Sequence, residues 1–142
     1  NLLRYFLGNE WEVTYADFRY RSKLVHLRFG DALVHIEVGE GTSAYAFEEG
    51  MKLFFQRGWM EILPPPPMLM QGAAQIRIYR DGELMELTQP MGDWDWAFRR
   101  PAQHFVDCVL GKAELRSSGA DGVHDLRLVE DIFRKAAELG TI

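Results

Sequence analysis

The chain has 142 residues, 47% of them apolar and 26% charged, and 16 basic against 21 acidic side chains leave a net charge of −5. That is enough chain for one domain with a core. An acidic balance without a basic run argues against nucleic acid, whose binding rests on Lys and Arg neutralising phosphates. No stretch approaches the ~20 apolar residues that a membrane span requires. Cys108 is the only cysteine, which excludes disulfides within the chain and leaves a zinc–thiolate centre without its ligands. No signal-peptide pattern is visible, so the expected setting is cytoplasmic.

Along the chain, Leu2, Leu3, Phe6 and Leu7 fall at helical spacing and Gly8 stops them. A free helix needs roughly 12–15 residues to be stable in water, so this short turn needs support from elsewhere. Trp11 to Phe18 alternates with period two, which predicts a strand with Trp11, Val13 and Tyr15 on one face. A hairpin follows. Turning at Gly30-Asp31, it opposes Phe29 to Ala32, Leu27 to Val34 and Val25 to Ile36, so one face is wholly apolar. The other face sets Leu24, His26 and Arg28 against Leu33, His35 and Glu37.

Tyr45 to Phe55 reads as a strand with a bulge at Gly50, Gly58 as a turn, and Trp59 to Leu63 as a short strand closed by the prolines at 64–67, which have no backbone donors for a ladder. Asp81-Gly82 is a favoured hairpin pair. Centred there, the hairpin opposes Tyr79 to Leu84, Ile78 to Met85 and Arg77 to Glu86. From residue 98 the period becomes helical. Pro101 sits in a first turn, Ala102, Phe105, Val106, Val109 and Leu110 form a stripe, and Gly111 ends it. Ser118, three residues before Asp121, is an N-cap pattern. Val123, Leu126, Val129, Ile132, Phe133 and Ala136 then continue an amphipathic helix up to Gly140. Strands in a run followed by helices in a run predict an α+β fold: a mostly antiparallel, open-faced sheet of about six to seven strands with two C-terminal helices on one face.

Three stretches in order carry a resemblance: NLLRYFLG at 1–8, FEEGMKLFFQRGWMEILPP at 47–65, and the segment 98–140 in which a Phe-containing helix ends at Gly before a Ser-Gly-x-Asp start. Together they resemble the C-terminal domain of the Gfo/Idh/MocA family (glucose–fructose oxidoreductase and inositol dehydrogenase) over nearly the whole chain. The resemblance implies a parent enzyme whose N-terminal Rossmann domain holds NAD or NADP. It also implies a Glu-Lys-Pro lysine and an Asp-x-x-x-His pair for proton transfer, the latter a few positions upstream of Asn1. The sequence contains no G-x-G-x-x-G and no Glu-Lys-Pro, and its one Asp-x-x-x-His spacing, Asp31 with His35, falls on the predicted hairpin rather than on a helix. The expectation is therefore one domain spanning 1–142 that holds no cofactor and is catalytically silent alone. In the parent it supplies one wall of a pocket for a sugar, cyclitol or related polyol, and a homo-oligomeric interface through the open sheet face. The alternative is a free-standing association or binding module without catalysis.

No catalytic, cofactor-binding or metal-binding residue is assigned. The substrate-binding candidates are Tyr45, Trp94, Asp95 and Trp96. Tyr45 sits where the family resemblance places a strand residue facing the pocket. The Asp93-Trp94-Asp95-Trp96 run, with Arg99 and Arg100 just after it, combines flat apolar faces that stack on sugars with carboxylates that bind hydroxyls; the same pattern also suits a helix start with an Asp cap. His26 and His35 face each other, with Glu37 nearby, yet a metal needs further ligands, and a polar sheet face is the preferred reading. Cys108 and His104 share a helix face, where a lone thiol packs as a small hydrophobe. The apolar run around Pro64 to Met70 reads as an association surface.

Overall fold

The structure is a computed structural model that describes residues 2–40, 48–82, 85–92 and 94–142. Its elements are α1 (Leu2–Leu7), β1 (Glu12–Arg19), β2 (Ser22–Phe29), β3 (Ala32–Gly39), β4 (Met51–Phe55), β5 (Gly58–Leu63), β6 (Gln75–Arg80), β7 (Glu86–Thr88), α2 (Arg99–Val109) and α3 (Gly119–Glu138). The α+β class and the antiparallel pairing are as expected. The strands form two sheets, β1-β2-β3 and β4-β5-β6-β7. The chain divides into two compact units, one made of Asn1–Ser43 with Arg116–Ile142 and the other of Ala44–Leu115. No helix among the described residues is long and apolar enough to cross a membrane.

In the first unit the β2–β3 hairpin has the register that its apolar pattern dictates, with Phe29 opposite Ala32, Leu27 opposite Val34 and Val25 opposite Ile36. Val25, Leu27 and Phe29 join Val13 and Ala16 of β1 and Leu128 and Ala136 of α3 in a closed core. One expectation fails here. The β1–β2 register shifts between Val13 and Tyr15, a bulge at Thr14. That extra residue turns Tyr15 to the far face, where its ring lies 5.2 Å from that of His26, and brings Ala16 inward to full burial. The Thr14 hydroxyl donates to the His26 carbonyl at 3.2 Å.

Ser118 caps α3 as the pattern predicts, its hydroxyl accepting from the Asp121 amide at 3.0 Å. The buried stripe of α3 differs from the expected one. Leu128 and Ala136 are buried and Ile132 packs beside them, whereas Val123, Leu126 and Val129 are exposed. The stripe rotates because Asp121, Asp125 and Asp131 on the packed side are each paired. Trp11 Nε1 donates to Asp131 at 3.0 Å, and Arg4 takes the other two.

Arg4 explains how a six-residue helix survives. It is 5% exposed. Its Nε donates to Asp125 Oδ1 at 2.7 Å, its Nη2 to Asp121 Oδ1 at 2.7 Å, and its Nη1 to Asn9 Oδ1 at 3.0 Å. The hydrogen bond to Asp125, helped by the charge of Asp121, holds the guanidinium pKa above its ordinary value despite burial. Leu3 and Leu7 add apolar contact with the core.

In the second unit β4 begins at Met51 rather than Tyr45, Glu48 to Gly50 have no regular structure, and Gly41 to Phe47 lie outside the described residues. Gly58 is forced by close backbone approach. Its φ is +149°, and a Cβ there would collide with the Tyr79 carbonyl oxygen. The β6–β7 register is offset by one residue from the expected one, pairing Ile78 with Glu86 and Arg77 with Leu87. An odd number of residues in the connection produces that slip. Arg77 therefore pairs with Glu61 of β5 at 3.1 Å, and Glu86 lies 3.7 Å from Arg80. The expected stripe of α2 forms on the helix but is not covered: Phe105, Val106, Val109 and Leu110 are 47–69% exposed.

Candidate functional site

Two neighbouring clefts in the second unit gather the tryptophan run. Asp95 fixes the local chain. Its amide donates to the Met70 carbonyl at 3.0 Å, its Oδ1 accepts from the Trp96 amide at 2.9 Å, and its Oδ2 lies 3.4 Å from Arg99 Nη1. Asp95 itself lies ahead of the helix and reaches only its first residue, Arg99, because α2 starts after Phe98 and has no side-chain cap. The helix-cap reading of the run is thereby replaced by an anchor between the proline segment and α2.

On one side of Asp95 lies a cleft of about 390 Å³ lined by Glu49, the prolines at 64–67, Trp96 and Arg100 among others. Gly72 seats its wall, since a Cβ there would collide with Pro65. The prolines at 65–67 are half-buried, so the run is a rigid wall as well as surface, while Met68 and Leu69 remain exposed. On the other side is a cleft of about 430 Å³ lined by Trp94, Asp95, Arg99, Arg100, Gln103, His104 and Asp107. Asp95 and Arg100 line both. Trp94 and Trp96 are 70% and 55% exposed, so their ring faces are open to a ligand. Such an arrangement can stack on the apolar face of a ring and hydrogen-bond its hydroxyls from carboxylate, amide and guanidinium groups.

Three of the four candidate residues, Trp94, Asp95 and Trp96, thus lie on adjoining clefts, and Tyr45 lies outside the described residues. Arg100 and the proline wall were not among the candidates as site residues. The signal for Arg100 was its place just after the Asp-Trp run, and a rigid proline run facing a Gly signals a wall. His104 Nε2 is 3.5 Å from Cys108 Sγ, which places the pair on one face of α2 as its spacing requires. His26 and His35 meet edge to face in the first unit with centroids 4.4 Å apart. Among the described residues no group of three or more His, Cys, Asp or Glu side chains is placed to hold a metal.

No protein-family model matches the chain, and no curated protein matches it in sequence. Its fold does match solved structures. One is KijD10, a 3-ketoreductase from Actinomadura kijaniata in complex with TDP-benzene and NADP in an open conformation. It is 17% identical, with a TM-score of 0.73 over 94% of this chain and 43% of that one. A point mutant of KijD10 with the same two ligands matches at 17% identity and a TM-score of 0.73, and a further complex of KijD10 with NADP and TDP-benzene at 18% identity and 0.73. The chain spans less than half the length of these enzymes. At this identity the likeness is one of fold.

Proposed function

We propose that this chain is the C-terminal, substrate-side and oligomerisation domain of a Gfo/Idh/MocA-type oxidoreductase. The parent passes a hydride between NADP or NAD and a secondary alcohol or ketone of a sugar, cyclitol or related polyol. The observation that carries the reading is the shared fold over 94% of the chain with a ketoreductase more than twice as long that binds NADP. The lack of any G-x-G-x-x-G in the sequence supports it. Because that neighbour is an NADP complex, NADP is the preferred cofactor of the parent. Trp94, Asp95 and Trp96 are the residues we assign to the substrate wall, with Tyr45 as a fourth. Exposed Phe54 and Phe55 on the second sheet support association with another copy, and the setting is cytoplasmic.

The test is the parent reading frame and its product. We expect a segment of roughly 130–180 residues, the size of one nucleotide-binding domain, to precede Asn1. The full product should bind NADP and reduce a keto-sugar, whereas residues 1–142 alone should show no heat on titration with NADP or NAD. Trp94→Ala and Trp96→Ala should raise KM in the full product more than they lower kcat. A start codon just upstream of Asn1, or turnover by residues 1–142 alone, overturns the reading and favours a free-standing association module.

A further inference from the structure

The two clefts that flank Asp95 each take one tryptophan. Trp96 lines the cleft beside the proline wall, and Trp94 lines the cleft beside α2. Residues two apart in a regular strand point the same way. Here the chain bends at Trp94 and Asp95 instead. Asp95 holds the bend, with its amide on the Met70 carbonyl and its Oδ1 on the Trp96 amide. The two rings are thereby delivered to different clefts, and one pyranose cannot stack on both. Pockets for small organic molecules span about 300–1,000 Å³. At about 390 and 430 Å³, each cleft stands at the small end of that range, with room for one sugar ring.

The polar groups divide in the same way. In the Trp94 cleft, Gln103 Nε2 donates to Asp107 Oδ1 at 3.0 Å, one turn apart on α2. A primary amide has a second N–H and an acceptor oxygen, and a carboxylate has about four acceptor sites. Locked side by side, the two groups form a donor–acceptor pair for adjacent ring hydroxyls. Asp95 and Arg100 line both clefts, so the passage between them is polar, as a glycosidic linkage with flanking hydroxyls requires. The clefts also differ in stiffness. Prolines have a fixed φ, and Gly72 closes against Pro65, whereas the α2 side presents long, exposed side chains such as Arg99 and Gln103.

Resting on the assignment of the tryptophan run to the substrate wall, we propose that the substrate is a two-ring sugar, a disaccharide or other glycoside. Its reacting ring lies against the proline wall on Trp96, because a reacting group has to be held by rigid elements. Its second ring stacks on Trp94 with hydroxyls on Gln103 and Asp107, and the linkage passes Asp95. The remote ring contributes binding energy that a one-ring substrate lacks.

The experiment assays the full product with NADP on glucose against cellobiose and maltose, and on galactose against lactose. We expect at least one disaccharide to exceed its hexose about tenfold in kcat/KM, as one stacked ring with a hydrogen bond provides. Trp94→Ala should bring that ratio below about twofold, while Trp96→Ala should lower both substrates alike and preserve it. Equal kcat/KM for hexose and disaccharide, or a ratio that survives Trp94→Ala, overturns the proposal. So does UDP-glucose that competes better than any disaccharide, which means that a nucleotide fills the Trp94 cleft. A full product that turns over none of these sugars contradicts the oxidoreductase reading, and NMR on the 142-residue chain then decides the two-ring site. There a disaccharide should move the Trp94 and Trp96 indole N–H resonances along one saturation curve, with its hexose about tenfold weaker. Separate curves for the two indoles, or no saturable shift, overturn the two-ring site.

Discussion

The two units are close in size and differ in how they are held. The first encloses a core, with Ala16 and Ala136 fully buried and Leu27 1% exposed. In the second, none of the described residues is buried. Its sheet has regular cross-strand pairing, and its apolar side chains are partly covered or exposed. The difference lies in covering layers: α3 lies over the first sheet, while α2 keeps its own stripe exposed. A sheet needs a second layer to bury a face; the first unit has one, and the second has no fully buried residue among those described. The two clefts around the tryptophan run lie in this second unit.

The contrast can be broken most directly in the core. Leu27→Ala should destabilise the chain by about 2–5 kcal/mol, through lost transfer energy and a residual cavity. Phe54→Ala, at a side chain 75% exposed, should change stability by less than about 0.5 kcal/mol. Urea unfolding followed by circular dichroism compares the two, and equal effects would erase the distinction between the units. Next in size is Gly58→Ala. Its φ of +149° and the Tyr79 carbonyl leave no room for a methyl group, so the loss should exceed about 1 kcal/mol and be confined to the second unit. Hydrogen exchange should show β4 to β6 opening while β1 to β3 stay protected.

A smaller effect sharpens the same picture from the first unit. Ser118→Ala removes the cap of α3 and should cost about 1 kcal/mol, read by the same unfolding curves. The smallest concerns Glu40. The Lys23 ammonium, 2.8 Å away, holds its carboxyl pKa below the ordinary value, through the hydrogen bond first and charge second. A lowered folded-state pKa means that the stabilisation is present above the ordinary carboxylate range and is lost as pH falls through the folded value. Both groups are well exposed, so the effect is slight. Titration of the Glu40 carboxyl by NMR should return a value below the ordinary range in the wild type and a normal one in Lys23→Met.

Much of this architecture was legible in the sequence, and the failures have physical causes. The β2–β3 register followed from period-two patterning because one face is buried and a slip would expose it. The β6–β7 register slipped for the opposite reason. Ile78 and Leu87 sit on a sheet with no buried face, so pattern had little to fix, and the turn decided. The bulge at Thr14 was illegible because a residue that adds one to a strand leaves composition unchanged. The core stripe of α3 was misread because aspartates at 121, 125 and 131 looked solvent-facing, whereas Arg4 and Trp11, more than a hundred positions away, draw them to the packed side. At the site, Trp94, Asp95 and Trp96 could be picked out because stacking rings beside a carboxylate are chemically distinctive.

The bonds from Arg4 to Asp121 and Asp125 carry a further implication for biogenesis. The first helix and three strands leave the ribosome before the second unit, and the aspartates that hold them arrive only after that unit has been made. Until then Val25, Leu27 and Phe29 have no lid, and the nascent sheet is a target for chaperones or for premature pairing with other chains. Closure of this half is therefore timed by the translation of the other.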